Sequence, residues 1–345
     1  MSRVQQINVG QDESEQRLDR WFRRHFPQVS QGRVEKLCRK GDIRVDGGRV
    51  KASTRVTPGQ KIRIPPLPDN PGPKYATAVA ISASDAAMIR DAVLFKDDHL
   101  IVLNKPSGLA SQGGSGQSRH VDGLAEALKF GLEDKPRLVH RLDKDTSGIL
   151  VLARTQRMAT ALTTAFRHRE TRKLYWAAVA GVPQPYMGTI KFGLVKSGGG
   201  KAGNEKMHCV HPDLLDATYG AKRATTDYAV LTSLGRRASW VALAPITGRT
   251  HQLRAHMAEI GHPIIGDGKY GGSGQENQGD GWGAQLGGEV SRKLHLHARS
   301  IRFEHPISRA LMSFSAPLSE HMQKTWATVE WAVGDFPEDP FEDLV

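Results

Sequence analysis

Residues 138–151 read Leu-Val-His-Arg-Leu-Asp-Lys-Asp-Thr-Ser-Gly-Ile-Leu-Val. Val139 closes one predicted strand and Ile149–Leu152 forms another, so residues between them make a charged loop pinned by two apolar strands. Loops held this way are where catalytic side chains are commonly carried. From these residues alone two readings stay open. The loop is an ion-paired turn in which Asp143 and Asp145 cap backbone donors, or it presents Asp143 to a substrate.

Working outward, Val93–Lys96, a turn at Asp97-Asp98 and Leu100–Asn104 predict a hairpin. Tyr175 lies in the β-like run Lys173–Val179, where an aromatic ordinarily packs into the core. The pattern predicts a helix from Thr250 to Ile260 with Gly261 just past its end. Leu253 and Met257 share one face by i, i+4 spacing, and Arg254 borders that face, which lets it point toward a central cleft. Ser197–Gly203 and Gly271–Gly288 are rich in glycine and poor in apolar residues, and read as surface insertions. Leu294-His295-Leu296-His297 alternates as a strand, with both histidines expected on one face near the sheet surface or a bound ligand.

Metal binding is not expected. Met207-His208-Cys209-Val210-His211 fits no zinc spacing, and His251 and His256 stand five apart, outside the HExxH arrangement. Two cysteines, Cys38 and Cys209, suggest neither a disulfide framework nor a zinc ribbon. No apolar run approaches the roughly 18 residues a membrane span needs. The polar N-terminus lacks a signal-peptide core, so a cytoplasmic protein is expected.

Charge is distributed unevenly. Residues 1–64 hold 15 Lys and Arg against 7 Asp and Glu, most of an overall excess of +12. A basic excess gathered in a short segment reads as a phosphate-binding module, the alternative being charge that serves solubility. Leu18, Trp21 and Phe22 recur at helical spacing, and Pro27 ends that helix. Ser30 is placed to cap a second helix, Gln31–Arg39, with Val34 and Leu37 inward and Gly41 beyond its end. Short strands follow to Ile64. The proline-rich stretch PPLPDNPGPKY, 65–75, marks a linker. The expected organisation is a tail at 1–14, an αβ unit at 15–64, a linker at 65–90, a large domain at 91–330 and a tail at 331–345.

The sequences QRLDRWFRRHF, QGRVEKLCRKGDIRVDGGRV and PGQKIRI make the first unit similar to the S4 RNA-binding domain. Arg33, Lys36, Arg39, Lys40 and Arg44 would then form its phosphate-contacting side. HRLDKDTSGIL resembles the central signature of the RluA-type pseudouridine synthases. NKPSGLAS at 104–111, RKLY at 172–175 and PITGRTHQLRAH at 245–256 resemble further motifs of that family, in its order. The resemblance covers roughly residues 91–315, and implies an α+β domain built on a mixed, mostly antiparallel sheet with a catalytic cleft.

The implied reaction breaks the N1–C1′ bond of a uridine and joins C5 of the base to the same carbon. It needs no redox step, so no cofactor is expected. It needs a nucleophile to hold or polarise one fragment while the base turns, which a carboxylate can provide. By the resemblance Asp143 is that nucleophile, and Arg254 is the partner that keeps it ionised. Tyr175 stacks on the uracil, its hydroxyl a candidate to assist proton removal from C5. Arg141 fills the space left by a flipped nucleotide. His140 and Arg249 are expected to contact RNA. The implied substrate is 23S ribosomal RNA, free or in a large-subunit assembly intermediate, with several uridines near the peptidyl transferase centre first and the helix 69 loop second. A non-catalytic assembly factor is the remote alternative. A monomer without membrane association is expected.

Overall fold

The structure, a computed structural model, describes residues 4–13, 15–67, 81–113, 119–166, 171–196, 206–271, 290–337 and 339–342. The chain divides into two units, residues 1–80 and 81–345.

In the first unit, β1 (Gln5–Asn8) precedes β2 (Gln16–Arg17), α1 (Leu18–His25) and α2 (Gln31–Lys40). Then come β3 (Arg44–Val45), β4 (Gly48–Arg49), β5 (Arg55–Val56) and β6 (Lys61–Ile64). Leu18, Trp21 and Phe22 are fully buried, as their spacing predicts. The Ser30 hydroxyl caps α2 by accepting from the Arg33 N–H, and Gly41 ends it in the left-handed conformation, φ 79°. Val34, Leu37 and Cys38 face the core. Arg33, Lys36, Arg39 and Lys40 are exposed on the outer side of α2. Arg44 instead braces its own turn, donating to the Gly41 and Gly47 carbonyls at 3.2 Å each.

Residues 5–13, expected to be a tail, belong to this unit. β1 pairs antiparallel with β6, in a sheet ordered β1-β6-β3-β4. The buried Glu13 carboxylate accepts from the Gly10 N–H at 3.0 Å and the Trp21 indole at 2.9 Å, and meets His25 at 2.6 Å. A strand of four residues has too short an alternation to stand out in a polar sequence.

The second unit begins with α3 (Ala83–Asp91), capped by the Ser82 hydroxyl. The end of the expected linker is thus helical, while residues 68–80 lie outside the described residues. Next come β7 (Val93–Lys96), β8 (Leu100–Lys105), α4 (Val121–Leu124), β9 (Arg137–Leu138), β10 (Ser147–Ala153), α5 (Gln156–Ala165) and β11 (Arg172–Ala180). β12 (Met187–Lys196), β13 (Met207–Val210), β14 (Lys222–Leu234), β15 (Ala238–Pro245) and α6 (Gln252–Glu259) follow. β16 (Leu296–Glu304), β17 (Leu311–Ser315) and α7 (Glu320–Thr328) close the order. Residues 197–203 and 272–288, read from the sequence as insertions, lie outside the described residues.

The sheet runs β13-β12-β14-β15-β11-β16-β10-β8-β7, with β17 on β16 and β9 on β10. Every pairing is antiparallel except β10 with β16, so the sheet is mixed and mostly antiparallel. That pair is its seam. It is short, and Gly148 permits it. With φ 105°, a side chain there would be strained, and a Cβ would come within 2.2 Å of the Ala298 carbonyl oxygen. All seven residues of β10 are buried, which accounts for the unbroken apolar run from Ile149 to Ala153. One core joins β8 and β10 to the helices beside them, and separate cores cover the two faces of β11 and β15.

Two further expectations change. Residues 331–337 and 339–342 are anchored rather than a tail: Trp331 and Phe341 are buried in a core, and Arg172 forks onto Asp339 at 2.6 and 2.9 Å. His295 and His297 are fully buried, not surface residues. They lie at a central strand covered on both faces, so alternation there does not separate inside from outside.

Candidate active site

The loop joining β9 to β10 carries Asp143 across the end of the seam. Its backbone is held on both sides of that residue. The Ser111 hydroxyl donates to the Leu142 carbonyl at 2.7 Å and accepts from the Leu142 N–H at 3.0 Å. On the other side, Lys105 Nζ and the Gly108 N–H both donate to the Lys144 carbonyl, at 3.1 and 3.0 Å. Lys105 also donates to the carbonyls of Pro106 and Leu109. The stretch 104–111 is thus the clamp beneath the loop, a role its spacing did not disclose. Burial pushes the Lys105 ammonium down to about 7, although Asp145 and Asp143 pull it upward.

Asp143 opens into a cleft of about 970 Å³. Arg254 Nη1 donates to Asp143 Oδ2 at 3.3 Å. The rest of the guanidinium forks onto Asp267, Nε to Oδ2 and Nη2 to Oδ1, both at 2.7 Å. Burial works against the charge of Arg254, but Asp267 and Asp143 outweigh it and hold its pKa above the ordinary arginine range. A cation fixed by two bonds on one side has little freedom on the other, so its remaining donor is aimed at Asp143. Asp267 is itself oriented by the Lys269 and Tyr270 N–H groups. Nothing in its sequence context marked it, because the pairing spans a helix and the turn after it.

Arg254 sits on α6, where the sequence placed a helix, and Leu253 and Met257 point inward. Residues 252–257 are all buried, so α6 is enclosed rather than amphipathic. Gln252 was also missed. Its carbonyl oxygen accepts from the Thr247 hydroxyl and the Arg249 N–H, and its amide donates to Thr225 and Thr226. It thereby shapes the turn that presents Arg249 at the cleft. Arg249 Nε donates to the Arg223 carbonyl at 3.1 Å.

Tyr175 lines the cleft from β11 and is half-buried. Burial, with the Asp143 charge nearby, pushes its phenol pKa up, so it is protonated at neutral pH. Arg141 is exposed at the cleft wall. His140 also lines it, but its Nε2 accepts from the Val151 N–H at 2.9 Å and its ring meets Phe166 edge-on. Burial, helped by Lys173, drops His140 to about 3, which leaves a neutral brace for the loop. The structure therefore gathers Asp143, Tyr175, Arg254, Arg141, His140 and Arg249 around one cleft. Arg33, Lys36, Arg39, Lys40 and Arg44 belong to the first unit.

A carboxylate paired with a locked arginine, beside an aromatic ring in an open cleft, can act as a nucleophile toward a planar base and its sugar. Comparison with known proteins gives this geometry its setting. Residues 99–259 match the family model described as RNA pseudouridylate synthase, and residues 16–62 match the S4 domain. The chain is 35% identical over 327 residues to "Ribosomal large subunit pseudouridine synthase C" of Vibrio vulnificus, covering 94% of this chain and 96% of that protein. It is also 35% identical to "RNA pseudouridine synthase 4, mitochondrial" of Arabidopsis thaliana, covering 92% and 80%. Among solved structures, "Human RNA Pseudouridylate Synthase Domain Containing 4" superposes with a TM-score of 0.58 at 30% identity, over 71% of this chain and 95% of that one. The chain belongs to the RNA pseudouridylate synthase family, carries an S4 domain, and is an RNA pseudouridine synthase.

Proposed function

We propose that this enzyme isomerises specific uridines of large-subunit ribosomal RNA, with Asp143 as nucleophile. The observation that carries the chemistry is the Asp143 carboxylate, 3.3 Å from a buried Arg254 that Asp267 locks in place. The substrate class is supported by the name of the Vibrio relative, which aligns along nearly its whole length. Uridines near the peptidyl transferase centre are the first targets to examine.

In this reading the target nucleotide leaves its stack and enters the cleft, where Tyr175 offers its ring to the uracil face. Arg141 occupies the space the base has left. Asp143 holds or polarises one fragment after the N1–C1′ bond breaks, and Arg254 keeps it aimed at the cleft. Arg249 meets backbone phosphate at the cleft, while Arg33, Lys36, Arg39 and Lys40 grip phosphates from the S4 unit.

The test is carbodiimide mapping of pseudouridines in ribosomal RNA from a deletion strain, complemented with wild type or with Asp143→Asn. Loss of a defined set of sites, restored by wild type alone, is expected. Persistence of every site in the deletion strain would overturn the substrate, and full restoration by Asp143→Asn would overturn the nucleophile.

A further inference from the structure

Asp143 has a second neighbour that the reading above leaves without a task. His251 stands at the mouth of α6 in the left-handed conformation, φ 52°, which non-glycine residues rarely adopt. That backbone turn swings its ring into the cleft, with Nε2 3.7 Å from Asp143 Oδ2. On the other side of the ring, Nδ1 lies 3.0 Å from the hydroxyl of Tyr270. The Met207 N–H donates to that same hydroxyl at 2.8 Å.

These contacts determine where the protons sit. The Tyr270 oxygen accepts from Met207, so its own proton is free to be donated. Among the described residues, the acceptor in reach is His251 Nδ1. An imidazole that accepts at Nδ1 carries its proton on Nε2, the atom facing Asp143. Burial keeps His251 from taking a second proton, and the nearby Arg254 and Lys269 add to that, against the pull of Asp143 and Asp267. The Tyr270 ring has a further task, lying 5.3 Å beneath the Arg254 guanidinium.

We propose that Tyr270 and His251 are positioning residues for Asp143: the Tyr270 hydroxyl fixes His251 as the Nε2–H tautomer, and that N–H is a second donor to the nucleophile beside Arg254. At 3.7 Å the donor stands just outside hydrogen-bond reach, and closes on the carboxylate when substrate enters the cleft. Two donors from different directions fix the plane of a carboxylate, which a single donor leaves free to rotate. This assignment also removes His251 from the possible proton acceptors, since its cleft-facing nitrogen already bears hydrogen. It rests on Asp143 being the nucleophile.

The test uses the full-length enzyme in single-turnover and steady-state assays on a ribosomal RNA substrate, with three variants. Tyr270→Phe keeps the ring under Arg254 and removes the hydroxyl. His251→Asn suits the left-handed backbone, but its amide ends near the Nδ1 position, short of Asp143. His251→Gln can place an amide N–H near the Nε2 position. Tyr270→Phe and His251→Asn are each expected to lower kcat about tenfold, the order of one hydrogen bond, with KM for RNA unchanged. His251→Gln is expected to recover most of the loss.

Nitrogen NMR of histidine-labelled enzyme, with the signal assigned by its loss in His251→Asn, should show the Nε2–H tautomer in wild type and a mixture in Tyr270→Phe. Wild-type kcat in both Tyr270→Phe and His251→Asn would overturn the proposal, as would equal loss in His251→Asn and His251→Gln, a loss confined to KM, or an Nδ1–H tautomer in wild type. An Asp143→Asn control separates the two levels. Wild-type activity there would sink the nucleophile itself, whereas an inactive Asp143→Asn beside wild-type kcat in both Tyr270→Phe and His251→Asn would sink only the positioning role.

Discussion

Arg254 is held by a carboxylate that no motif announced. Asp267 takes two of its donors at 2.7 Å and is itself fully buried. Removing one member of a buried pair leaves an uncompensated charge, which costs about 3 kcal/mol or more. Asp267→Ala is therefore expected to lower the urea midpoint and, by freeing Arg254 to turn, to lower kcat as well. Comparing denaturation curves and single-turnover rates checks both. Four histidines make a second prediction. Burial lowers His140 and His297 to about 3, and His256 and His295 to about 4. An unfolded histidine takes its proton near about 6.5, so the unfolded chain binds more protons below that pH. The stability these groups give is complete above about 6.5 and falls as pH drops toward 4 and then 3. Thermal melts between pH 7.5 and 5 should show a declining midpoint, and a flat profile would contradict neutral burial.

Gly148 decides whether β10 can lie against β16. A Cβ there meets the Ala298 backbone at 2.2 to 2.8 Å, and backbone cannot step aside as a flexible side chain can. Gly148→Ala should destabilise the second unit by more than about 2 kcal/mol and disturb the loop five residues upstream that carries Asp143. Circular dichroism melts with an activity assay test this. Elements with strong local signals were legible in the sequence. The β7–β8 hairpin, α1, both ends of α2 and the span of α6 follow from periodicity, Ser30, Gly41 and the turn residues. Legibility failed where tertiary cover overrode the pattern. His295 and His297 alternate like surface positions but are fully buried, His295 bonded to Thr325 of α7 and His297 to Ser147 of β10 and the Ala316 carbonyl. Residues 5–13 and 339–342 are tied in by partners distant in sequence, β6 and Arg172, which local spacing does not encode. The site divides the same way: Asp143, Tyr175, Arg254 and Arg141 stand in recognisable motifs and Gln252 lies in one without its role showing, while Asp267 and Tyr270 matter through contacts the fold alone creates.

The first unit holds most of the chain's basic excess and the second the cleft. Arg33, Lys36 and Arg39 lie exposed on one helix whose opposite side is core, so their charge can be reversed without touching packing. The triple reversal should weaken RNA binding and reduce the steepness of its salt dependence, since fewer counterions are released. Unchanged affinity across a salt series would show those cations to be only a solvated face. No described helix is long and apolar enough to cross a membrane. Isomerisation itself has an atom-level signature, because the hydrogen on uracil C5 must leave when C5 joins the sugar. The most direct measurement is tritium release from large-subunit ribosomal RNA carrying 5-tritiated uridine, unmodified at the start, with wild-type enzyme and Asp143→Asn side by side. We predict release by wild type to a plateau of a few sites per molecule and none by Asp143→Asn. Equal release by both proteins, or none by wild type, would contradict the assignment of Asp143 as the nucleophile of a large-subunit RNA pseudouridine synthase.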